Sequence, residues 1–396
     1  MRAEFAARVP TLWHGHGITR QVTDRLTADR EALAIVDSSA PAPVLGGHPT
    51  RTIVVDARSV SVTAVASLAE EIARRKPRVI IAVGGGSILD ASKIAALVLA
   101  PGRTLEFAIA RAARSALTFL PDAPAPVELV AVPTTLGTSS ETNTVGILTN
   151  ESGHRLIIGT SLRPRHAIID PGNLMTLSSA TVREGALEAF LRLAGVSTSP
   201  QRTVRAKRDA VALGSALLDT ANRGVTSPES RLRLARLSAA TQRTAALRGL
   251  DPYAARHWYI ANEVAFALKV RKMVATAAII AAVWRRICSG DPRWGDRRSL
   301  EEFWTSVAGE VALPLDPPTG VAALIDRWRI PSPSRPTPRV AEHIAAAIET
   351  AWANRYPMLA GLVAADFSDL LRDSSWSSPS FGHSDRPSNV RKEVNQ

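Results

Sequence analysis

The sequence predicts an α/β domain with a mainly parallel sheet, followed by an all-helical domain. Up to about residue 172, short apolar runs rich in Val and Ile alternate with helical patterns. After about Asn173 the strand signals stop, and Ala-, Leu- and Arg-rich helical patterns continue to about Leu371. Alternating strands and helices are typical of βαβ units with a parallel sheet. The second pattern is typical of a helical bundle.

Five segments of the first half read as buried strands, because each is a short apolar run that ends near glycine, proline or a polar residue. They are Ala32–Asp37, Arg51–Ala57, Arg78–Gly86, Val127–Thr135 and His166–Pro171. Two segments between them have helical spacing, Val62–Arg75 and Ser87–Ala100. Asn143–Thr160 differs, since two strand-like runs flank an Asn-Glu-Ser-Gly turn. We expect a hairpin there, set into the α/β domain.

The predicted boundaries are an α/β domain over residues 1–172, a helical domain over residues 173–372 and a tail over residues 373–396. The tail is rich in Ser, Pro and other polar residues, so we expect it to be disordered. A chain of 396 residues with 45% hydrophobic and 21% charged residues suits two globular domains.

The composition excludes several classes of protein and of site. The only cysteine is Cys288, which excludes an internal disulfide and a cysteine-based zinc cluster. The N-terminus has no apolar stretch of signal-peptide type, and the most apolar run, Met273–Trp284, is too short to cross a bilayer. We therefore expect a cytoplasmic protein with no membrane association.

The net charge of +12 raises the question of nucleic-acid binding. The cations are spread along the chain, and the short basic runs at Arg231–Arg236 and Lys269–Lys272 have no interleaved aromatic residues. We therefore favour an Arg-rich bias over a nucleic-acid site. A basic surface equally suits an acidic substrate, a peptide or a partner protein.

A glycine-rich turn is the most informative segment. The strand ending at Val83 is followed by Gly84, Gly85 and Gly86, and a helix begins near Ser87. Glycines let the backbone approach a ligand closely and adopt positive φ. The helix N-terminus offers N–H groups to an anion, and Ser87 can cap the helix or bind a phosphate oxygen. An ordinary tight turn is the alternative.

Three motifs carry a family resemblance. GGGSILDASK resembles the GGGSxxDxxK signature of the iron-containing alcohol dehydrogenase and dehydroquinate synthase superfamily. VPTTLGTSSETN, Val132–Asn143, resembles the family's PTTxGTGSExT, and Arg163–Ser179 resembles its strand ending in Asp-Pro. The resemblance covers most of residues 10–200. It implies a Rossmann-like NAD-binding domain, a helical substrate domain and, by analogy, a homodimer.

The resemblance also assigns cofactor residues. The glycine turn with Ser87 would hold the NAD pyrophosphate, and Thr134, Thr135 and Thr138 would border the ribose and nicotinamide. Asp37 matches the acidic position that binds the adenosine ribose and disfavours NADP; a strand-end turn residue is the alternative. Asp90 would fix the loop or contact ribose.

The family's metal ligands are largely missing. Iron-dependent members use one Asp and three His, the first two from a G-x-D-A-x-x-H helix. Here Leu187 falls at the Asp position and Leu191 or Arg192 at the His position, while Asn262 and Met273 fall near the other two. Residues 167–342 contain only His257. We expect no catalytic metal. Glu188, His257 and Glu263 form the alternative ligand set.

Positively charged residues occur in the segments that lack the family's metal ligands. Arg192 suits a substrate carboxylate, Lys269 and Lys272 are candidate bases if desolvated, and His257 is another. For each of them, a solvated charge or helix-end role is the alternative.

The leading hypothesis is an NAD-dependent, metal-independent dehydrogenase that oxidises a hydroxyl group. A β-hydroxy acid would suit such a site, because fixed cations can bind its carboxylate. Its oxidation gives a β-keto acid, which can lose CO₂ without metal assistance. The chain is similar in character to a branch linked to daptide-type ribosomal peptide biosynthesis, which implies oxidative decarboxylation of a C-terminal threonine. The substrate would then be a small molecule or peptide terminus bearing a carboxylate. The alternatives are a non-catalytic scaffold or partner subunit and a dehydroquinate synthase-like cyclase.

Overall fold

A six-stranded parallel sheet forms the centre of the N-terminal half. The computed structural model describes residues 9–40, 45–46, 51–249, 251, 253–354 and 357–377. The strands in chain order are β1 Thr11–His14, β2 Ala32–Asp37, β3 Arg51–Val55, β4 Val79–Gly84, β6 Glu128–Pro133 and β9 His166–Ile169. Their spatial order is β1-β9-β6-β4-β2-β3, with every pairing parallel. The predicted parallel sheet is confirmed.

A second, three-stranded sheet contains the predicted hairpin. It consists of β5 Leu117–Phe119, β7 Val145–Asn150 and β8 Gly153–Ile158, in the order β5-β8-β7. Strands β7 and β8 pair antiparallel across the turn, and β5 pairs parallel with β8. The hairpin therefore builds its own small sheet beside the main one.

Helices cover both faces of the main sheet. They are α1 Ile18–Thr27, α2 Val62–Arg75 and α3 Gly86–Ala96, whereas α4 Thr104–Ala112 contacts β5 and β8 of the second sheet. Every residue of β2 and β4 is buried as a result, as is typical of strands sandwiched between helices. α3 is largely buried and packs against the sheet and β7.

The second half of the described chain is helical. Its α-helices are α5 Ser179–Val196, α6 Val204–Arg223, α7 Pro228–Arg243, α8 His257–Leu268, α9 Lys272–Cys288, α10 Arg297–Ala308, α11 Pro317–Trp328, α12 Pro338–Ile348 and α13 Ala364–Arg372. Aromatic side chains such as Phe190, Trp284 and Trp304 meet at the centre of this bundle. The helical-bundle prediction is confirmed.

The start of the predicted tail is ordered. Ser375 N donates to Ala278 O at 2.8 Å, and Ser377 N donates to Pro333 O at 3.0 Å. The prediction of disorder is therefore wrong for residues 373–377. Residues 378–396 lie outside the described residues.

No helix in the described part of the chain is both long and apolar enough to span a membrane.

Candidate active site

The candidate site begins where the order of the sheet reverses. β2 and β4 are neighbours. β3, which follows β2 in the chain, lies on one side of them, and β6, the next strand of this sheet after β4, lies on the other. Val36 pairs with Val83, so Asp37 and Gly84 end side by side at the carboxyl edge. Ligands of open α/β sheets bind at such a switch point.

The glycine turn is a close-packed cradle. None of the three glycines adopts positive φ, so that expectation is wrong. Close approach explains them instead: a Cβ on Gly86 would lie 3.0 Å from Thr138 Cγ2, and one on Gly85 would lie 3.3 Å from Thr135. A Cβ on Gly84 would lie 2.7 Å from Ile88 Cβ.

Ser87 does not cap the helix. Gly85 occupies the N-cap position of α3, and no side chain caps it, so the capping prediction is wrong. Ser87 is exposed in the first turn. The first N–H groups of a helix lack intrahelical partners and attract anions. The N-terminus of α3 therefore offers an anion-binding position beside the exposed hydroxyl of Ser87.

Asp37 is buried and holds a turn. Its Oδ1 accepts hydrogen bonds from Ser39 N at 3.0 Å and Ser39 Oγ at 2.9 Å. Asp37 therefore has the turn-forming role that was the alternative to ribose binding. Ribose binding by this carboxylate stays a prediction.

Asp90 stabilises a neighbouring loop rather than facing the cradle. It accepts hydrogen bonds from Ser140 Oγ and, at 3.2 Å, from Ile147 N. Lys93 Nζ lies 3.5 Å from Asp90 Oδ1 and donates to Ser140 Oγ at 2.7 Å and Asn143 Oδ1 at 2.9 Å. Both charged side chains are buried. Of the two roles predicted for Asp90, the structure shows loop fixation, and it does not support cofactor contact.

Thr134, Thr135 and Thr138 line the loop that follows β6. Thr134 N donates to Gly84 O at 3.0 Å, which ties this loop to the glycine turn. Thr135 and Thr138 are half-buried at the mouth of the cradle. Contact of the three residues with the ribose and nicotinamide stays a prediction.

Arg192 forms hydrogen bonds with the loop after β6. Its guanidinium donates to Ser139 Oγ and Thr241 Oγ1, both at 2.9 Å, and to the carbonyl oxygen of Gly137. The side chain is buried. These bonds occupy the guanidinium, so the predicted carboxylate-binding role is not supported. Arg192 instead links the α/β domain to the helical bundle.

Lys272 faces the site from the first turn of α9. Its Nζ lies 4.9 Å from the centre of the Trp258 ring, a cation–π contact. Burial lowers the pKa of Lys272 to about 8, opposed by the nearby Glu188 carboxylate. Glu188 in turn reaches the loop, because its Oε2 lies 3.0 Å from where a Cβ of Gly137 would be. Lys272 is the candidate base that the geometry supports.

The other predicted bases lie elsewhere. Lys269 is exposed and is the C-cap residue of α8, where it has a left-handed conformation with φ of 53°. His257 is buried, with its Cε1 only 2.8 Å from a Cβ position on Gly195. Burial lowers the pKa of His257 to about 3, so the ring is neutral at physiological pH. Neither residue is supported as a catalytic base.

The donor set does not fit a bound iron or zinc ion. Glu263, one of the three alternative ligands, accepts a 2.9 Å hydrogen bond from Trp352 Nε1 in the bundle core. His257 packs against Trp258 and Gly195. Among the described residues, no three His, Cys, Asp or Glu side chains converge to hold a metal. Catalytic zinc normally has three protein ligands.

Sequence reasoning placed Asn262 near a metal-ligand position of the family but missed the face of α8 to which it belongs. Trp258, Asn262 and Phe266 recur every four residues, so they share a side of the helix. Lys272 covers Trp258, and His154 from β8 packs edge-on against Phe266 with ring centres 5.6 Å apart. The four-residue spacing was visible in the sequence, but nothing there showed that this face meets Lys272.

Comparison with known proteins identifies the fold. Residues 51–171 match the family model of iron-containing alcohol dehydrogenases. Phosphonoacetaldehyde reductase of Streptomyces viridochromogenes is 32% identical over 201 residues, which are 50% of this chain and 51% of that protein. The chain thus aligns with about half the length of this relative.

Solved structures match almost the whole chain. NADH-dependent butanol dehydrogenase A of Thermotoga maritima superposes with a TM-score of 0.73 at 15% identity, covering 92% of this chain and 97% of that one. An iron-containing alcohol dehydrogenase of Thermococcus thioreducens gives 0.71 at 15% identity, with the same coverage of each chain. Residues 51–171 therefore resemble the iron-containing alcohol dehydrogenases in sequence, and the chain as a whole has the fold of solved members of that family.

Proposed function

We propose that this protein is an NAD-dependent oxidoreductase that interconverts a hydroxyl and a carbonyl group without a bound metal. The placement of Lys272 carries this proposal. It is a half-buried amine with a pKa of about 8, close to the family's cofactor motifs and paired electrostatically with Glu188. The names of the relatives, a reductase and an NADH-dependent dehydrogenase, point to the same reaction class.

The cradle fits a dinucleotide. The absence of a Cβ on Gly85 and Gly86 lets the glycine turn and the loop after β6 approach closely, and the N-terminus of α3 lies at this turn. Asp37 at the neighbouring strand end suits a ribose hydroxyl and repels a 2′-phosphate, so we favour NAD over NADP. NAD, when bound, supplies the hydride acceptor or donor.

Lys272 would hold the proton of the reacting oxygen. As a neutral amine it accepts the hydroxyl proton during oxidation, and as an ammonium it donates a proton during reduction. Glu188 opposes the effect of burial and keeps the pKa near neutrality. Because the donor set does not fit a metal, the lysine would take over charge stabilisation at that oxygen.

A β-hydroxy acid is the proposed substrate class. Its oxidation gives a β-keto acid that can lose CO₂ without metal assistance. Arg271, next to Lys272, is already paired with Glu184 at 2.6 Å, so Lys272 and the net charge of +12 are what favour an anionic substrate. A peptide ending in threonine belongs to this class, which is the form implied by the daptide resemblance.

The test combines NAD titration with absorbance at the reduced-nicotinamide band, using β-hydroxy acids and peptides with C-terminal threonine. Lys272→Met should lower kcat by about 10²- to 10⁴-fold with NAD affinity retained. Lys269→Met, three positions away and exposed, should leave kcat within about twofold. Equal losses in both variants would contradict the assignment of Lys272, and a wild-type protein that does not bind NAD would contradict the proposed function.

A further inference from the structure

We propose that Asn262 recognises an amide group of the substrate, an inference that rests on the proposed function. The side chain is 1% exposed, yet neither its Oδ1 nor its Nδ2 has a hydrogen-bond partner among the described residues. Buried polar groups are almost always paired, and leaving one unpaired costs folding free energy. An amide with both ends unpaired in α8 therefore indicates a ligand that completes it.

Asn262 lies at the centre of the α8 face formed by Trp258, Asn262 and Phe266. Trp258 precedes it by four residues and is covered by Lys272 Nζ at 4.9 Å. Phe266 follows it by four residues and contacts His154. Burial, followed by the Lys272 charge, lowers the pKa of His154 to about 4, so this neighbour is neutral. Asn262 therefore lies between two aromatic side chains, on the helix face that meets Lys272.

A second amide complements both ends of this side chain. The Nδ2 group donates and Oδ1 accepts, so the matching group must offer a carbonyl oxygen and an N–H. A carboxylate satisfies only Nδ2 and places negative charge near Oδ1, whereas an ammonium satisfies only Oδ1. The flanking aromatic side chains suit a planar group.

The spacing also suggests where the amide lies on the substrate. Four residues, a rise of about 6 Å along α8, separate Trp258, which Lys272 covers, from Asn262. This distance suits an amide on the carbon next to the reacting carbinol. N-acetylthreonine has this arrangement together with the carboxylate of a β-hydroxy acid.

Calorimetric titration in the presence of NAD tests the inference with a matched pair of ligands. N-acetylthreonine carries the amide, and 2-acetoxy-3-hydroxybutyrate replaces its N–H with an ester oxygen. Wild-type protein should bind the amide about 10- to 100-fold more tightly than the ester. Asn262→Leu should remove this preference, while Asn222→Leu, whose Oδ1 accepts from Trp328 Nε1 at 2.7 Å, should keep it.

Thermal unfolding separates recognition from a structural role. Because Asn262→Leu removes an unpaired polar group, its Tm should equal or exceed that of the wild type. A lower Tm together with equal binding of the two ligands by wild-type protein would show that Asn262 is structural. Failure of N-acetylthreonine to bind the wild type would also overturn the inference. Selective binding without reduced nicotinamide would support the amide site and contradict the proposed oxidoreductase.

Discussion

The guanidinium of Arg192 donates a 2.9 Å hydrogen bond to Ser139 Oγ, joining α5 of the bundle to the loop that follows β6. Ser139 has φ of 53°, a left-handed conformation that non-glycine residues rarely adopt. Ser139 Oγ also lies 2.9 Å from Ser238 Oγ on α7. Arg192 therefore holds a strained loop in place at the junction of the two domains.

Removing Arg192 should weaken the fold and the cofactor site together. Arg192→Met strips a partner from three oxygen atoms and removes a positive charge from beside buried carboxylates, so the free energy of unfolding should fall by about 3–5 kcal/mol. Arg192→Lys keeps the charge without the planar fork and should recover only part of this loss. Denaturant titration measures the effect. Unchanged stability in Arg192→Met would show that the link contributes nothing.

Gly86→Ala should lower NAD affinity. The added Cβ lies 3.0 Å from Thr138 Cγ2, so the loop must shift at the mouth of the cradle. We expect at least tenfold weaker binding, about 1.4 kcal/mol, in a fluorescence titration. Gly309→Ala is the matched control, since no atom lies within 4 Å of its Cβ position. The cradle assignment fails if both variants bind NAD like the wild type.

The contributions of buried Asp90 and Lys93 to the free energy of unfolding should be coupled. Lys93→Met leaves a buried carboxylate without its 3.5 Å partner and should cost about 3–5 kcal/mol of unfolding free energy. The double variant Asp90→Asn with Lys93→Met should cost less than the sum of the single changes. Additive losses in a double-mutant cycle would argue against direct coupling.

The rate of oxidation should depend on pH through Lys272. Its pKa is lowered to about 8, so the neutral amine that accepts a proton accumulates as pH rises through this value. The kcat/KM for alcohol oxidation should therefore rise and level off above about pH 8, and carbonyl reduction should decline over the same range. The same inflection in Lys272→Met would assign it to another group.

The main sheet was predictable where strands are continuous apolar runs. Ala32–Asp37 was predicted with its observed ends, because all six residues are buried between helices. Strand β1 was missed because it has only four residues, lies at the sheet edge and ends on His14. Helix α1 was missed because it is largely polar and its N-cap residue, Gly17, has no side chain to cap it.

The site was only partly predictable. The motif resemblance predicted a cofactor loop between Gly84 and Thr138, because these motifs are local in sequence. Lys269 and Lys272 could not be separated, because their roles depend on where α8 ends and α9 begins. The role of Arg192 depends on Ser139 and Thr241, which come from other elements of the fold.

Metal-free turnover is the most direct test of the central claim. Protein stripped with a chelator, with its metal content measured by mass spectrometry, would be assayed for NAD reduction with N-acetylthreonine before and after addition of Fe²⁺ or Zn²⁺. We predict the same rate in both states, because the residues around Lys272 do not form a metal site. Turnover that appears only after the metal is added would contradict the account.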